Sequence, residues 1–236
     1  IGGPLARSVR DLAITLDATV GFDQNDPQTT ASVGKIPASY YAALTTLDPS
    51  TLRLGVLVDR FGTDPEEIEL GDRIKTLLGK LQAEGANVIE VADPQVYVSL
   101  VETPFFVSEF DFRKDMTAYL AANPSLGFSS LKALLDDPRI VTNVASLLRP
   151  LLGPAHESEL TYLRQRARRT DTQGALLTLM HEYRLDALVY PTATREAVEI
   201  GGQHTHFNCQ LAANSGLPAI SVPAGFGPNQ MPIAVE

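Results

Sequence analysis

The segment spanning residues 54–91 constrains the fold most strongly, because its pattern predicts a β-α-β unit. It begins with a short apolar run, LGVLV, of the kind found in buried parallel strands. A helix start follows, with Asp64 as the N-cap, Pro65 at the first helical position and Glu67 at the third. A second strand-like run, VIEV, ends the segment. Parallel strands require such a crossover, so the sequence predicts an α/β fold.

Helix signals recur on both sides of this unit. Near the start of the chain, Ser8 predicts a helix N-cap with Asp11 in capping-box position, and Gly21 predicts the end of that helix. A long helix is predicted over residues 158–184. The apolar side chains expected to face inward on this long helix are Leu160, Leu163, Ala167, Leu176, Leu177 and Met180.

The last fifty residues alternate strand and helix patterns. A strand over DALVYP is ended by Pro191, and the run HTHFNCQLAANSG predicts one helix ended by Gly216. PAISVP predicts the next strand, and the chain then ends within a second hairpin strand. No linker divides the sequence, so the helical segment 103–154 is expected to be an insertion within a single domain.

Charge and composition exclude several classes of function. The chain has 28 acidic and 19 basic residues and a formal net charge of −9, which argues against binding nucleic acid or an anionic membrane surface. No apolar run approaches the roughly 20 residues of a spanning helix. The single cysteine, Cys209, excludes an internal disulfide and favours a reducing compartment, so a cytoplasmic location is expected. A homo-oligomer is left open.

Several groups of side chains could in principle form a catalytic triad, a zinc site or an anion site, but each pattern is weak evidence for such a site. His181 or His206 could serve a Ser-His-Asp triad, but no Gly-x-Ser-x-Gly elbow is present. His204, His206 and Cys209 have unusual spacing for zinc and no evident fourth ligand, so a helix start in a polar loop is favoured. The run RQRARR is expected to be a solvated helix face.

Two polar residues stand out as candidates for a substrate pocket. Glu109 lies in an aromatic helix start with Phe105 and Phe106, which are themselves expected either to line an apolar pocket wall or to pack in the core. Asn208 lies in the predicted helix of the C-terminal part. Either could contact a substrate. Each also has a structural interpretation, since a buried Glu or Asn more often anchors neighbouring backbone groups through hydrogen bonds.

The motifs of this sequence, taken in order, resemble those of one known family, the amidase-signature hydrolases. GPLARSVRDLAITLD resembles the family segment that follows the signature block. RLDALVYPT and FNCQLAANSGLPAISVPAGF resemble two later family elements, and VSEFDFRKDMTAYL resembles a helix of the bacterial amidase and peptide-amidase branch. The matching positions expected to be structural are Gly3, Pro4, Arg7, Asp11, Asp186, Pro191, Thr192, Gly216, Pro218 and Pro223.

The resemblance implies an amide hydrolysis whose reactive side chains are expected to lie upstream of this chain. In the family, a Lys and two Ser act on the amide, and all three precede the Gly-Pro-Leu-Ala-Arg segment with which this chain opens. Lys35, Lys75, Lys80, Lys114 and Lys132 stand in no such motif, and the pair Ser129 and Ser130 follows Phe128 rather than two glycines. No catalytic residue, metal ligand or cofactor is therefore assigned within the chain.

These inferences combine into one prediction of fold and function. The fold is expected to be an amidase-signature-type α/β/α sandwich around a mixed sheet, with residues 1–236 as the C-terminal portion of a single domain, incomplete at both ends. The resemblance implies a serine hydrolase of small carboxylic amides that needs no cofactor, with its catalytic segment upstream. The alternatives are a non-catalytic amidase-like scaffold or ligand-binding subunit, and an unrelated α/β enzyme.

Overall fold

The computed structural model describes residues 3–45, 48–92, 107–153, 159–202 and 204–236, without the side chains of 107–109. The described residues form two compact units. The first unit takes its residues from 1–92, 180–212 and 218–236, and the second takes them from 93–179 and 213–217. That residues 1–236 form one domain with an insertion at 103–154 stays a prediction.

The first helix, α1 (Val9–Thr19), begins as predicted, because the Ser8 hydroxyl oxygen accepts the Asp11 amide at 3.1 Å. Near its end, the Asp17 carboxylate accepts the Ser39 hydroxyl at 2.6 Å and the Tyr40 amide at 2.5 Å. The hydrogen bond from Ser39 lowers the pKa of Asp17 and outweighs the opposing effect of burial. The chain after α1 is thus tied back onto the helix.

The predicted β-α-β unit is confirmed. β1 (Arg53–Leu57) pairs in parallel with β2 (Asn87–Val91), and α2 (Pro65–Ala83) connects them. Both strands begin one residue earlier than predicted. Gly85 has a positive φ of 109° just beyond the helix, the conformation that glycine adopts most readily at this position.

A third strand and a hairpin complete the sheets of the first unit. β3 (Ala187–Val189) pairs in parallel with the other edge of β1, so the strand order is β2-β1-β3. β4 (Val222–Phe226) and β5 (Pro232–Val235) form an antiparallel hairpin. The hairpin joins the end of β3, because Tyr190 and Glu236 exchange backbone hydrogen bonds of 3.0 and 2.8 Å. The predicted mixture of parallel and antiparallel pairing is confirmed.

The core of the first unit lies between α2 and the strands, where burial of apolar side chains supplies most of the stabilisation. α2 contributes one face of apolar side chains at helical spacing, and the strands contribute the opposing side chains. The buried members of this cluster are Val56, Phe61, Leu70, Ile74, Leu78 and Ile233.

The second unit is helical. α3 (Val107–Ala122) is followed by two short helices, α4 (Leu131–Leu135) and α5 (Thr142–Leu148), and then by α6 (Glu159–Tyr183), which continues past the end of this unit. The predicted run of short helices between α3 and α6 is confirmed. Proline and glycine limit their length, as expected from the backbone conformations that these residues favour.

Three local predictions differ from the structure. The last helix, α7 (Gln210–Ser215), begins six residues later than predicted, and residues 218–221 precede β4 rather than forming part of it. On α6, the predicted inward residues at 160, 163, 167 and 177 are exposed. Leu176 is buried as predicted, and the polar residues Gln165 and Thr172 are also buried. Most of the predicted apolar stripe therefore does not face the interior of the described part of this chain.

No helix within the described ranges combines the length and the apolar character that a membrane-spanning helix requires.

Candidate functional site

The carboxyl ends of β1 and β3 lie side by side, and the connections that leave them diverge. β2 and β3 flank β1 on opposite sides, so the chain that leaves β1 toward β2 moves away from β3. In open α/β sheets, ligands bind in the crevice at such a switch point, outside the carboxyl ends of the strands. The loop following β1 (residues 58–64) and the loop following β3 (residues 190–209) therefore define the candidate site.

Glu67 ties these two loops together from the first turn of α2. Its Oε2 accepts the backbone amides of Thr63 at 3.0 Å and Asp64 at 3.1 Å, which completes the predicted capping box. Its Oε1 accepts the hydroxyl of Thr194 at 2.8 Å, from the loop following β3. Glu67 and Thr194 are both buried, so these bonds are shielded from water.

A cation in the same cluster favours the ionised carboxylate. Arg195 forms an ion pair with Asp64, and its Nε lies 3.8 Å from Glu67 Oε1. Burial raises the pKa of Glu67. The amide of Asp64, the hydroxyl of Thr194, the amide of Thr63 and the charge of Arg195 together outweigh that effect, so the net pKa is lowered. Glu67 is thus a permanently charged anchor rather than a proton donor near neutral pH.

Gly62 permits the close packing of the first loop on this carboxylate. Its φ is +77°, and an added Cβ would lie 2.5 Å from the carboxyl carbon of Glu67. Real Cβ atoms do not approach other atoms so closely, and Glu67 is itself held by its hydrogen-bond donors. The loop therefore requires glycine at this position for two independent reasons.

Asn208 is the second side chain that bridges the loops. Its Nδ2 donates to the carbonyl of Arg60 at 2.9 Å and to the carbonyl of Pro191 at 2.8 Å, while its own backbone amide donates to Thr192 O at 2.9 Å. The side chain is buried. The predicted pocket residue thus lies at the candidate site, and its amide group is used to fasten backbone carbonyls there.

Replacement of Asn208 should show how much this bridge contributes. Asn208→Ala leaves two buried carbonyls without their donor and is expected to lower the free energy of unfolding by about 2 kcal/mol. Asn208→Asp places a carboxylate against the same carbonyls and should cost more, about 3 kcal/mol. The same Asn→Ala change at exposed Asn143 on α5 is the control and should have almost no effect. Urea unfolding measures all three, and equal losses at both positions would contradict the bridge.

A pair of hydroxyl groups lies at the outer part of the candidate site. The Thr192 hydroxyl donates to Ser221 Oγ at 3.2 Å. Thr192 is half-buried and Ser221 is exposed. Pro191 is fully buried next to Thr192, and it forms an antiparallel bridge with Val235. The position after β3 therefore presents polar groups on a fixed backbone.

Two other motif positions have clear structural roles. Asp186 accepts the backbone amide of Arg53 at 2.8 Å, and its own amide donates to Arg53 O at 2.8 Å, which sets the register of β3 on β1. Gly216 follows α7 with a φ of +72°, and an added Cβ would lie 2.8 Å from a guanidinium nitrogen of Arg169. Gly3, Pro4, Arg7, Asp11, Pro218 and Pro223 are exposed.

The other predicted pocket residues lie outside the described part of the structure. Phe105 and Phe106 are not described, and Glu109 belongs to α3 with its side chain not described. The structure therefore brings Asn208 and Thr192 together. The pocket roles of Phe105, Phe106 and Glu109 stay predictions.

The histidines provide no metal centre among the described residues. His206 Nδ1 lies 3.0 Å from the hydroxyl of Thr205, and the ring of His204 stacks on Phe207 with centroids 6.1 Å apart. Within the described ranges, no three His, Cys, Asp or Glu side chains are grouped to share a metal ion. Burial raises the pKa of the Cys209 thiol, and the nearby Glu236 carboxylate raises it further.

Comparison with known proteins identifies the family. A family model described as Amidase matches residues 1–236. The chain belongs to the amidase family. Mandelamide hydrolase from Pseudomonas putida is 26% identical over 253 residues, which cover 99% of this chain and 45% of that protein. A glutamyl-tRNA(Gln) amidotransferase subunit from Acinetobacter baylyi is 26% identical over 251 residues, with 100% of this chain and 50% of that protein covered.

Solved structures show the same fold in this amidase-family chain. Native peptide amidase from Stenotrophomonas maltophilia superposes with a TM-score of 0.78 and 24% identity, covering 99% of this chain and 48% of that one. An amidase family protein from Bacillus anthracis superposes with a TM-score of 0.75 and 21% identity, covering 99% and 43%. The predicted amidase-signature fold is confirmed. The chain spans about half the length of the relatives it matches.

Proposed function

We propose that this chain forms the substrate-side part of a hydrolase of carboxylic amides, with the reactive Lys and two Ser supplied by a segment outside residues 1–236. The match of the amidase family model along the whole chain carries this proposal. The sequence itself supports the division of roles, because none of its serines follows a Gly-Gly pair. Substrate and activity are thus proposed for the assembled enzyme.

The loops following β1 and β3 are proposed to supply a rigid wall for the substrate. Glu67 and Asn208 fasten backbone groups of both loops, so neither loop can shift without breaking buried hydrogen bonds. Amide hydrolysis gains from such rigidity, because an amide must be held in line with the nucleophile while donors stabilise the developing oxyanion. The wall holds the substrate, and the nucleophile attacks from the other segment.

The side chains proposed to contact the substrate include both hydrogen-bonding and apolar groups. The hydroxyls of Thr192 and Ser221 can donate to an amide oxygen or accept from an amide nitrogen. Phe105, Phe106 and Glu109 are proposed as substrate contacts from the start of α3, and Asn208 is proposed as a contact from the loop following β3. An apolar pocket with a few placed polar groups is typical of small-molecule sites.

Expression of the natural reading frame tests this proposal. The coding sequence upstream of the Ile1 codon is expected to continue in frame and to encode a Lys and a Gly-Gly-Ser block. The longer product should hydrolyse primary carboxylic amides, with ammonia release as the readout, whereas the 236-residue product should not. An initiation codon directly before Ile1, or a longer product that releases no ammonia from any amide tested, would contradict the proposal and favour the non-catalytic scaffold.

A further inference from the structure

The hydroxyl groups of Thr192 and Ser221 form a pair whose hydrogen-bonding capacity is largely unused. Their oxygens are 3.2 Å apart, which is long for a bond between two hydroxyls, where about 2.7–2.8 Å is usual. Among the described residues, neither oxygen has a second hydrogen-bond partner. Each hydroxyl has one donor and two acceptor positions. The pair therefore keeps one free donor and several free acceptor positions for a ligand.

The pair belongs to the candidate site and lies on a fixed backbone. Thr192 is part of the loop following β3, where its amide donates to the carbonyl of Ala234 at 3.0 Å and its carbonyl accepts the amide of Asn208 at 2.9 Å. Ser221 directly precedes β4, whose first residue pairs with Val235 of β5. The two hydroxyl-bearing residues thus flank the end of β5 at set positions, which holds their oxygens within reach of a single small group.

A primary carboxamide matches this combination of donor and acceptor. On one edge of the planar amide, the oxygen accepts a hydrogen bond while an N–H on the same side donates one. The free hydroxyl hydrogen of the pair can reach the amide oxygen, and a lone pair of the other hydroxyl oxygen can accept the N–H. Both bonds can form at once because the two hydroxyl oxygens are only 3.2 Å apart.

An N-substituted amide lacks this edge. In its trans form, the substituent on nitrogen lies on the same side as the carbonyl oxygen, and the N–H points the other way. The cis form would restore the edge but is strongly disfavoured. We infer, on the basis of the proposed amide hydrolysis, that Thr192 and Ser221 determine specificity for primary over N-substituted carboxamides by binding both polar atoms of the amide edge.

The longer product of the natural reading frame tests this inference with two matched substrates. The quantity measured is kcat/KM for a primary amide and for the N-methyl amide of the same acid. Thr192→Val combined with Ser221→Ala should lower the value for the primary amide by roughly 100-fold, because two hydrogen bonds of roughly 10-fold each are lost. The N-methyl amide can make at most one of them, so its value should fall by no more than about 10-fold. The preference for the primary amide should therefore fall by about 10-fold.

Three further variants control for structural effects. Thr192→Ser keeps the hydroxyl and should retain the preference. Thr76→Val changes an exposed hydroxyl of α2 that donates to the carbonyl of Asp72 at 2.8 Å, and it should alter neither value. Ser221→Ala alone, at an exposed position, should lower kcat/KM for the primary amide by roughly 10-fold, and it decides the question if the double variant does not fold. Urea unfolding shows which variants are folded.

The outcomes separate this inference from the proposed function. In a folded double variant, equal losses for the two amides, or no loss for either, would overturn the two-point contact and leave amide hydrolysis in place. An unchanged value for the primary amide in Ser221→Ala would do the same. A longer product that hydrolyses no amide with its natural residues would overturn the proposed function, and this inference with it.

Discussion

The 236-residue chain by itself is expected to release no product from a chromogenic carboxylic anilide and to remain unlabelled by a fluorophosphonate probe. A serine hydroxyl is a poor nucleophile until a base removes its proton, and a lysine can act as that base only when its ammonium group is neutral. The reaction also needs fixed donors for the oxyanion. These groups would have to converge within the chain for it to act alone.

The described side chains favour inactivity. The Ser130 oxygen accepts the amide of Ala133 at 3.1 Å and so caps α4. Lys132 forms an ion pair with Asp136, and Lys75 lies 4.0 Å from Asp72, so each of these ammonium groups faces a carboxylate. Removal of a whole catalytic triad leaves at most roughly 10³–10⁴-fold over the rate in water in a protease. Here the oxyanion donors are expected to be missing as well.

The assay requires a positive control and a clear opposing result. Mandelamide hydrolase from Pseudomonas putida, incubated with mandelamide, is the positive control for turnover. Stoichiometric labelling of one serine in the 236-residue chain, abolished by changing that serine to alanine, would show that a catalytic centre exists within these residues. Labelling that survives every single Ser→Ala change would indicate nonspecific reaction instead.

Local signals account for most of the fold that could be predicted. The helix starts at Ser8 and at Asp64 depend on side chains that bond amides within three residues, so the sequence reveals them directly. The apolar runs of β1 and β2 are likewise continuous in sequence. The start of α7 was predicted too early because residues 204–209 are held by distant partners. Asn208 bonds the carbonyl of Arg60, which no local pattern reveals.

The candidate site was only partly predictable for the same reason. Glu67 was identified as a helix-capping residue, which it is, but its bond to Thr194 spans 127 positions of the chain. Arg195 and Thr194 lie in a loop with no motif, so nothing in the sequence marked them. Asn208 was selected through the resemblance to a family. On α6, periodicity identified the apolar stripe but could not determine whether this chain or another covers it.

Gly62→Ala is expected to destabilise the first unit strongly, by about 4 kcal/mol. The substitution forces a β-carbon into a left-handed backbone conformation and against the carboxyl group of Glu67, which its hydrogen-bond donors hold in place. Gly34 is the matched control, since its φ of +76° is nearly the same but an added Cβ would meet nothing within 4 Å. Gly34→Ala should therefore show backbone strain alone, about 1–2 kcal/mol. Urea unfolding of both variants measures the difference.

A double-mutant cycle separates the clash with Glu67 from the strain at Gly62. Glu67→Ala removes the carboxyl carbon and Oε2 from the path of the new β-carbon, although the β-carbon of residue 67 still lies 2.8 Å away. Alone, Glu67→Ala should cost about 3 kcal/mol, because it leaves two amides and the Thr194 hydroxyl without their acceptor. Combined with Gly62→Ala, the loss should be smaller than the sum by about 1–2 kcal/mol. Strict additivity would mean that the loop following β1 moves away from Glu67 without resistance, and the rigid wall at the ends of β1 and β3 would have to be abandoned.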